Sequence, residues 1–174
     1  MDGNKSIANR IMRALDKIIG FDVAYAHCDY PCGIYDPFDA QIAAHTIIRM
    51  DDLIAEGQAH GGAAPSLEDR HNFVRATEIK EKYAEICKTE IRILWGDYFK
   101  PDHVKAHPEL HELVFTTMKQ ASKARQTADV KEAEALLENV MKIAEIFWET
   151  KGIKTKRVIA PYPTKRQVVY PVLE

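Results

Sequence analysis

Apolar residues recur every three to four positions through most of the chain, which is the period of amphipathic α-helices. Four such segments predict a first helix over about 38–56, a second from Ser66 towards Pro101, a third after Pro108 and a fourth from Asp129 to Gly152. Helices that each carry one apolar stripe can bury it only against one another. The pattern therefore predicts an all-α fold, an antiparallel four-helix bundle. The inward positions would be Ile42, Ile47, Met50 and Ile54, then Phe73, Ala76, Ile79, Tyr83, Ile86 or Cys87, Leu94 and Tyr98, then Leu110, Leu113, Val114, Thr117 and Met118, and finally Ala133, Leu136, Val140, Ile143 and Phe147.

Local signals mark the ends of these helices. Asp36 before Pro37 predicts a helix start, because aspartate caps free amide groups and proline lacks the hydrogen that the first helical turn leaves unpaired. Ser66 followed by Asp69 resembles a capping box. Residues 57–65, rich in glycine and alanine and ending in proline, predict the longest loop, and Gly152 is expected to end the fourth helix.

The two ends of the chain differ from this central part. Residues 1–26 carry a short helical apolar pattern, yet Asp16, Lys17 and Asp22 interrupt the unbroken apolar stretch that a secretory signal needs. A cytoplasmic pro-peptide, or an N-terminal helix packed on the body, are the two interpretations that remain. Residues 153–174 contain three prolines, five basic residues and a short apolar run, and they predict an extended C-terminal tail that could lie on a neighbouring subunit.

Composition narrows the possible functions. The chain has 174 residues, 46% of them hydrophobic, and a formal net charge of -2. This balance predicts one domain of 27–152 between the two end segments, with no electrostatic preference for nucleic acid. No apolar run approaches the roughly 18 residues that a membrane span requires. Three cysteines are too few for a disulfide framework and fit a reducing, cytoplasmic compartment.

A dense group of metal-binding residue types precedes the first helix. His27, Cys28 and Cys32 offer an imidazole and two thiolates within six residues, and Pro31 and Gly33 favour a non-helical turn around them. A structural zinc site would need four close ligands, and no second pair of cysteines or histidines stands near. If the chain were cut before His27, the new amine would join a nitrogen and sulfur set suited to nickel(II) or copper(II). An adventitious cysteine pair or a redox disulfide remain open on spacing alone.

The whole string resembles the nickel hook of the nickel-containing superoxide dismutase family. The family pattern His-Cys-x-x-Pro-Cys-Gly-x-Tyr is matched from His27 to Tyr35. Further matches lie at Arg75–Glu81, Leu94–Pro101, Pro108–His111 and Ile146–Lys151, so the likeness covers about residues 27–151.

The resemblance implies a function and its parts. It implies removal of residues 1–26 by a maturation protease, assembly as a homohexamer, and disproportionation of superoxide to dioxygen and hydrogen peroxide by a nickel ion that alternates between Ni(II) and Ni(III). Each subunit would hold one nickel through the amine and imidazole of His27, the amide nitrogen and thiolate of Cys28, and the thiolate of Cys32. Tyr35 and Tyr98 match two tyrosines beside the metal that limit access and hold a water or small anion, and Asp29 would support the hook.

Two positions depart from the family pattern. A carboxylate and an arginine that orient the axial histidine in the family are replaced here by Ala43 and Tyr83. Because such supporting groups tune a metal site by roughly 10 to 100-fold, the replacement predicts a weaker axial bond and a slower enzyme. The replacement also motivates a rival function, a non-catalytic nickel- or copper-binding bundle protein. A thiol redox protein that uses Cys28 and Cys32 is a third possibility.

The remaining chemistry-bearing residues are assigned structural roles. Cys87 lies on the apolar face of the second helix and is expected to be a small buried thiol. Apart from His107 and His111, which are four positions apart across Pro108, the other histidines show no tight ligand spacing, and all of them are expected on helix surfaces or loops. They are His45, His60, His71, His103, His107 and His111.

Overall fold

The computed structural model describes residues 33–59 and 65–173. In these two ranges, six helices, one of them a single π-helical turn, are followed by two strands. The elements are α1 (Phe38–Ala59), α2 (Leu67–Ile93), the π-helical turn Leu94–Tyr98, α3 (Pro101–Ala106), α4 (Leu110–Gln126), α5 (Val130–Thr150), β1 (Thr155–Ile159) and β2 (Gln167–Pro171). The predicted pro-peptide and the hook residues His27, Cys28 and Cys32 lie outside the described residues.

The predicted helix boundaries follow from local hydrogen bonds. The Asp36 carboxylate accepts from the amide of Phe38 at 2.8 Å, and Asp129 accepts from the amide of Lys131 at 3.0 Å. Ser66 and Asp69 form the reciprocal capping box that their spacing predicts. Gly152 adopts a φ of 71°, the left-handed conformation that glycine tolerates after a helix end.

The four long helices pack as the predicted bundle. Helix α1 packs against α2 and α5, and α4 packs against α2 and α5, so each apolar stripe faces the centre. The largest side chains with almost no exposed surface include Phe147, Ile47, Ile91, Leu136 and Ile143. The prediction of an all-α four-helix bundle is therefore confirmed.

Three details of the helices differ from the sequence pattern. Helix α1 continues through Gly57 to Ala59, beyond the predicted end near 56. Phe73, predicted to face inward, is 47% exposed because the first turns of α2 extend past the packed part of the bundle, where residues 65–75 are all exposed. The short helix α3, which begins at Pro101, was not predicted because six residues give no periodic signal.

The C-terminal tail is extended in conformation, as predicted, and it also folds back as a β-hairpin. Strands β1 and β2 pair antiparallel, with Thr155 opposite Pro171 and Ile159 opposite Gln167. The hairpin contacts α5, and β2 also bonds to α1 of the same chain, through Gln41 and His45. The sequence pattern does not predict this pairing or this packing, because prolines break the alternation of apolar residues.

Among the histidines that the structure describes, His45 is the one that departs from its expected place. It was expected on a helix surface, and it is only 3% exposed because the hairpin covers that face of α1. Its two ring nitrogens bond to Thr164 and to the carbonyl oxygen of Gln167.

No helix among the described residues combines the length and the apolar character that crossing a bilayer requires.

Candidate functional site

Tyr35 and Tyr98, the two predicted site tyrosines, lie side by side. Tyr35 precedes α1 and Tyr98 ends the π-helical turn after α2, yet their ring centroids are 5.6 Å apart at an interplanar angle of 53°. This distance and tilt are typical of stabilising aromatic pairs. The structure thus brings together two residues that are separated in the sequence by the two helices α1 and α2.

The π-helical turn is what directs Tyr98 towards Tyr35. The amide of Phe99 donates to the carbonyl oxygen of Leu94 at 2.9 Å, a bond that spans five residues instead of the four of an α-helix. The wider turn ends α2 and leaves Tyr98 half-buried beside α5. Short π-helical turns occur often at functional sites, because they place side chains that a regular helix would direct elsewhere.

Aromatic and cationic groups surround the Tyr98 ring. Its centroid lies 4.5 Å from that of Phe147, 5.3 Å from Phe99 and 5.6 Å from His103. The ammonium group of Lys151 lies 5.1 Å from the centroids of both Tyr98 and Phe147, within the range of a cation–π interaction. The ring is therefore held on several sides, and one positive charge lies next to it.

The hydroxyl group of Tyr98 is hydrogen-bonded to the end of α5. Its oxygen lies 2.6 Å from the side-chain oxygen of Thr150, which itself donates to the carbonyl oxygen of Phe147 at 2.7 Å. Neither Thr150 nor Lys151 is among the site residues that the sequence predicts. The only signal for them was their place in the matched string that ends at Lys151.

Asp36 adds a carboxylate next to Tyr35. Burial raises the pKa of Asp36, whereas the hydrogen bond from the Phe38 amide and the charge of Lys151 both lower it. The same carboxylate caps α1, so the charge near the tyrosines also fixes the start of that helix.

The two residues that depart from the family pattern, Ala43 and Tyr83, lie on the core side of the bundle. Ala43 is fully buried, so only a methyl group occupies the place of the family carboxylate. Tyr83 is half-buried and packs against the core cluster. Neither residue reproduces an ion pair of a carboxylate with an arginine.

The predicted metal ligands belong to the part of the chain that the structure does not describe. Within 33–59 and 65–173, no three histidine, cysteine, aspartate or glutamate side chains gather as a metal site. Cys87 is fully buried in the core, as predicted, and burial raises the pKa of its thiol to about 12. A thiol with that pKa stays protonated near neutrality, so Cys87 is not suited to bind a metal as thiolate.

Comparisons with known proteins agree on one family. The model of nickel-containing superoxide dismutase matches residues 22–151, so residues before position 22 form an N-terminal extension and the hairpin lies beyond the matched region. The superoxide dismutase [Ni] of Streptomyces coelicolor is 41% identical over 126 residues, which are 72% of this chain and 88% of that protein. The corresponding enzyme of Streptomyces seoulensis is 40% identical over 126 residues, with the same coverage.

Solved structures give the same result. A native nickel superoxide dismutase structure superimposes with a TM-score of 0.63 at 41% identity, covering 72% of this chain and 99% of that one. A structure with nickel ligation corresponding to the oxidised state gives a TM-score of 0.64 at 40% identity, with equal coverage.

Proposed function

Because the chain belongs to the nickel-containing superoxide dismutase family and is therefore an enzyme that disproportionates superoxide, we propose that the hook beginning at His27 holds its nickel. The observation that carries this proposal is the nine-residue string from His27 to Tyr35, which lies inside a family match of residues 22–151.

The donor set suits the metal. The imidazole of His27 and the thiolates of Cys28 and Cys32 are nitrogen and sulfur donors, and planar sets of this kind favour nickel(II) or copper(II). Cleavage before His27 by a maturation protease would add the new terminal amine, and the amide nitrogen of Cys28 completes the set. Nickel supplies one-electron redox chemistry when bound, and one ion per subunit is expected.

We infer from the family resemblance that Tyr35 and Tyr98 limit access to the nickel. Their ring centroids lie 5.6 Å apart, and a phenol hydroxyl group can hydrogen-bond to a water or a small reactant. The ammonium group of Lys151 adds positive charge that favours a small anion at this face of the bundle.

Assembly and location are further parts of the proposal. We expect a homohexamer in the cytoplasm, since the family resemblance implies the hexamer and the charged leader lacks the apolar region of a secretory signal.

The test compares nickel-loaded protein beginning at His27 with variants of each thiol. Cys28→Ser and Cys32→Ser should lose nickel and at least about a hundredfold of the dismutation rate measured by stopped flow, because losing a direct ligand costs at least what losing a supporting group does. Cys87→Ala is the matched control, and it should keep both nickel and activity because Cys87 is buried in the core.

Three outcomes would contradict the proposal. Full nickel occupancy without turnover would indicate the non-catalytic metal-binding bundle. A reversible Cys28–Cys32 disulfide in an active, metal-free protein would indicate thiol redox chemistry. Native protein that keeps residues 1–26, as intact mass would reveal, and is equally active would exclude the terminal amine as a ligand.

A further inference from the structure

Thr150 makes two short hydrogen bonds at the end of α5. Its hydroxyl oxygen lies 2.6 Å from the phenol oxygen of Tyr98 and 2.7 Å from the carbonyl oxygen of Phe147. Both distances are within the usual range for bonds between oxygen atoms. Thr150 therefore links the Tyr98 side chain to the backbone of a core helix.

The pair of bonds fixes which group donates. A carbonyl oxygen can only accept, so the single hydroxyl hydrogen of Thr150 is directed to Phe147. The remaining bond then requires the phenol of Tyr98 to donate and the oxygen of Thr150 to accept. The hydrogen of Tyr98 is thus already committed within the protein.

The ring has little freedom to turn away from this bond. Phe147 packs against it at 4.5 Å between centroids, and the Lys151 ammonium group lies 5.1 Å from its centroid. Three residues at the end of α5 therefore hold the Tyr98 side chain. They are Phe147, Thr150 and Lys151.

We propose that Thr150 is a positioning residue that makes Tyr98 a hydrogen-bond acceptor in the site. With its hydrogen bound to Thr150, the phenol presents only lone pairs to a further molecule. It can accept from water or hydrogen peroxide, which carry hydrogens, and it cannot donate to a bare anion such as superoxide. This role rests on the proposed function, because only that function makes Tyr98 a site residue, and it would restrict Tyr98 to accepting hydrogen bonds rather than donating one to a small anion.

The direction of the bond can be measured on the full chain without metal. The tyrosine Fermi doublet in the Raman spectrum has a lower intensity ratio when a phenol donates a strong hydrogen bond and a higher ratio when it accepts. Subtracting the spectrum of Tyr98→Phe isolates the Tyr98 contribution. Thr150→Val should raise the ratio, and Thr150→Ser, which keeps the hydroxyl group, should leave it unchanged. An unchanged or lowered ratio in Thr150→Val would overturn the proposal.

The consequence for the site is measured with azide on nickel-loaded protein. In Thr150→Val the freed hydroxyl group can donate to the anion, so azide should bind about tenfold more tightly, as expected for one hydrogen bond to a charged group. Thr150→Ser should bind azide as the wild type does. Equal azide affinity in Thr150→Val, with wild-type near-UV circular dichroism, would remove the positioning role.

The two proposals fail in different ways. A wild-type protein that takes up no nickel or has no dismutation activity overturns the proposed function and the role of Thr150 in it. A Raman ratio that does not rise overturns the inference about Thr150 while leaving the dismutase activity intact.

Discussion

At the scale of single residues, an ion pair is buried inside the bundle, where both charges pay a desolvation cost. The ammonium group of Lys80 lies 2.5 Å from Asp51 Oδ1 and also donates to the carbonyl oxygen of Thr127. Both side chains are almost completely buried, and among the described residues Asp51 Oδ2 has no hydrogen-bond partner. Burial raises the pKa of Asp51, and the bond and charge of Lys80 oppose that rise. Each charge is therefore tolerated only because the other is present.

Removing one partner should cost much more than removing both. Lys80→Met should lower the free energy of unfolding by about 3–5 kcal/mol, because it leaves Asp51 buried without its cation. Lys80→Met combined with Asp51→Leu should recover most of that loss. Urea unfolding measures both, with the exposed Lys82→Met as the matched control. A single variant no less stable than Lys82→Met would show that the pair is not coupled.

At the scale of elements, hydrogen bonds from the side chains of Gln41 and His45 hold the hairpin on α1. The amide of Gln41 accepts from the Val169 amide at 2.7 Å and donates to its carbonyl oxygen at 3.1 Å, as a neighbouring strand would. The ring of His45 bonds Thr164 at 2.9 Å and the Gln167 carbonyl oxygen at 3.1 Å. Because that carbonyl only accepts, Nε2 carries the hydrogen of the neutral ring and Nδ1 accepts from Thr164.

The packing of His45 predicts a pH dependence of stability. Burial lowers the pKa of His45 below its ordinary 6.5, and the charge of Arg166 lowers it further, although the Gln167 bond opposes this. The unfolded chain therefore binds a proton at a higher pH than the folded chain does. The stabilisation is complete above about pH 6.5 and is lost as the pH falls below it.

Urea unfolding over a pH series tests this prediction. Below pH 6.5, the free energy of unfolding of His45→Gln should depend less steeply on pH than that of the wild type, because the contribution of His45 is removed. The variant should also be somewhat less stable at neutral pH. The exposed His71→Gln is the matched control for replacing a histidine by glutamine outside the hairpin contact. Equal slopes in His45→Gln and wild type would mean that another group titrates there.

At the scale of the whole molecule, the hairpin lies outside the family match and yet packs on the helical bundle. It lies beyond residue 151, where the family match ends, yet Val168 and Val169 are almost fully buried. Arg157 pairs with Glu145 at 2.7 Å and with Glu138 at 2.8 Å, and these carboxylates raise its pKa. Arg166 pairs with Glu134 on the same helix.

Deleting residues 153–174 should therefore destabilise the bundle and leave the metal chemistry in place. Burial of two valines alone predicts a loss of at least about 3 kcal/mol in the free energy of unfolding. Gln41 and His45 would also lose their hairpin partners. Nickel uptake and dismutation should persist at temperatures where the shortened chain stays folded, since the family match ends before the deletion.

A chain ending at Val172 keeps the hairpin and is the control for the deletion. It should unfold at the wild-type temperature in calorimetry, because Leu173 is 69% exposed. Equal unfolding temperatures for the two shortened chains would contradict the structural role of the hairpin.

The sequence by itself determined what depends on neighbours along the chain. Asp36, Ser66 and Gly152 act within one helical turn, and the apolar period of each helix is set by residues three or four apart. The hook is also local, since its imidazole and two thiols lie within six residues. The four long helices and the residues that cap them could therefore be predicted without a structure, whereas the donor set of the hook stays a prediction.

Only the tertiary structure decided which distant groups meet. Three contacts each join separate helices or loops: the ring pair of Tyr35 and Tyr98, the hydrogen bond between Tyr98 and Thr150, and the ion pair of Lys80 and Asp51. The burial of His45 required a hairpin more than a hundred residues away, as its bond to Thr164 shows. Residue spacing carries no information about such contacts, because they arise from how complete helices pack and from which polar groups must be paired once water is excluded.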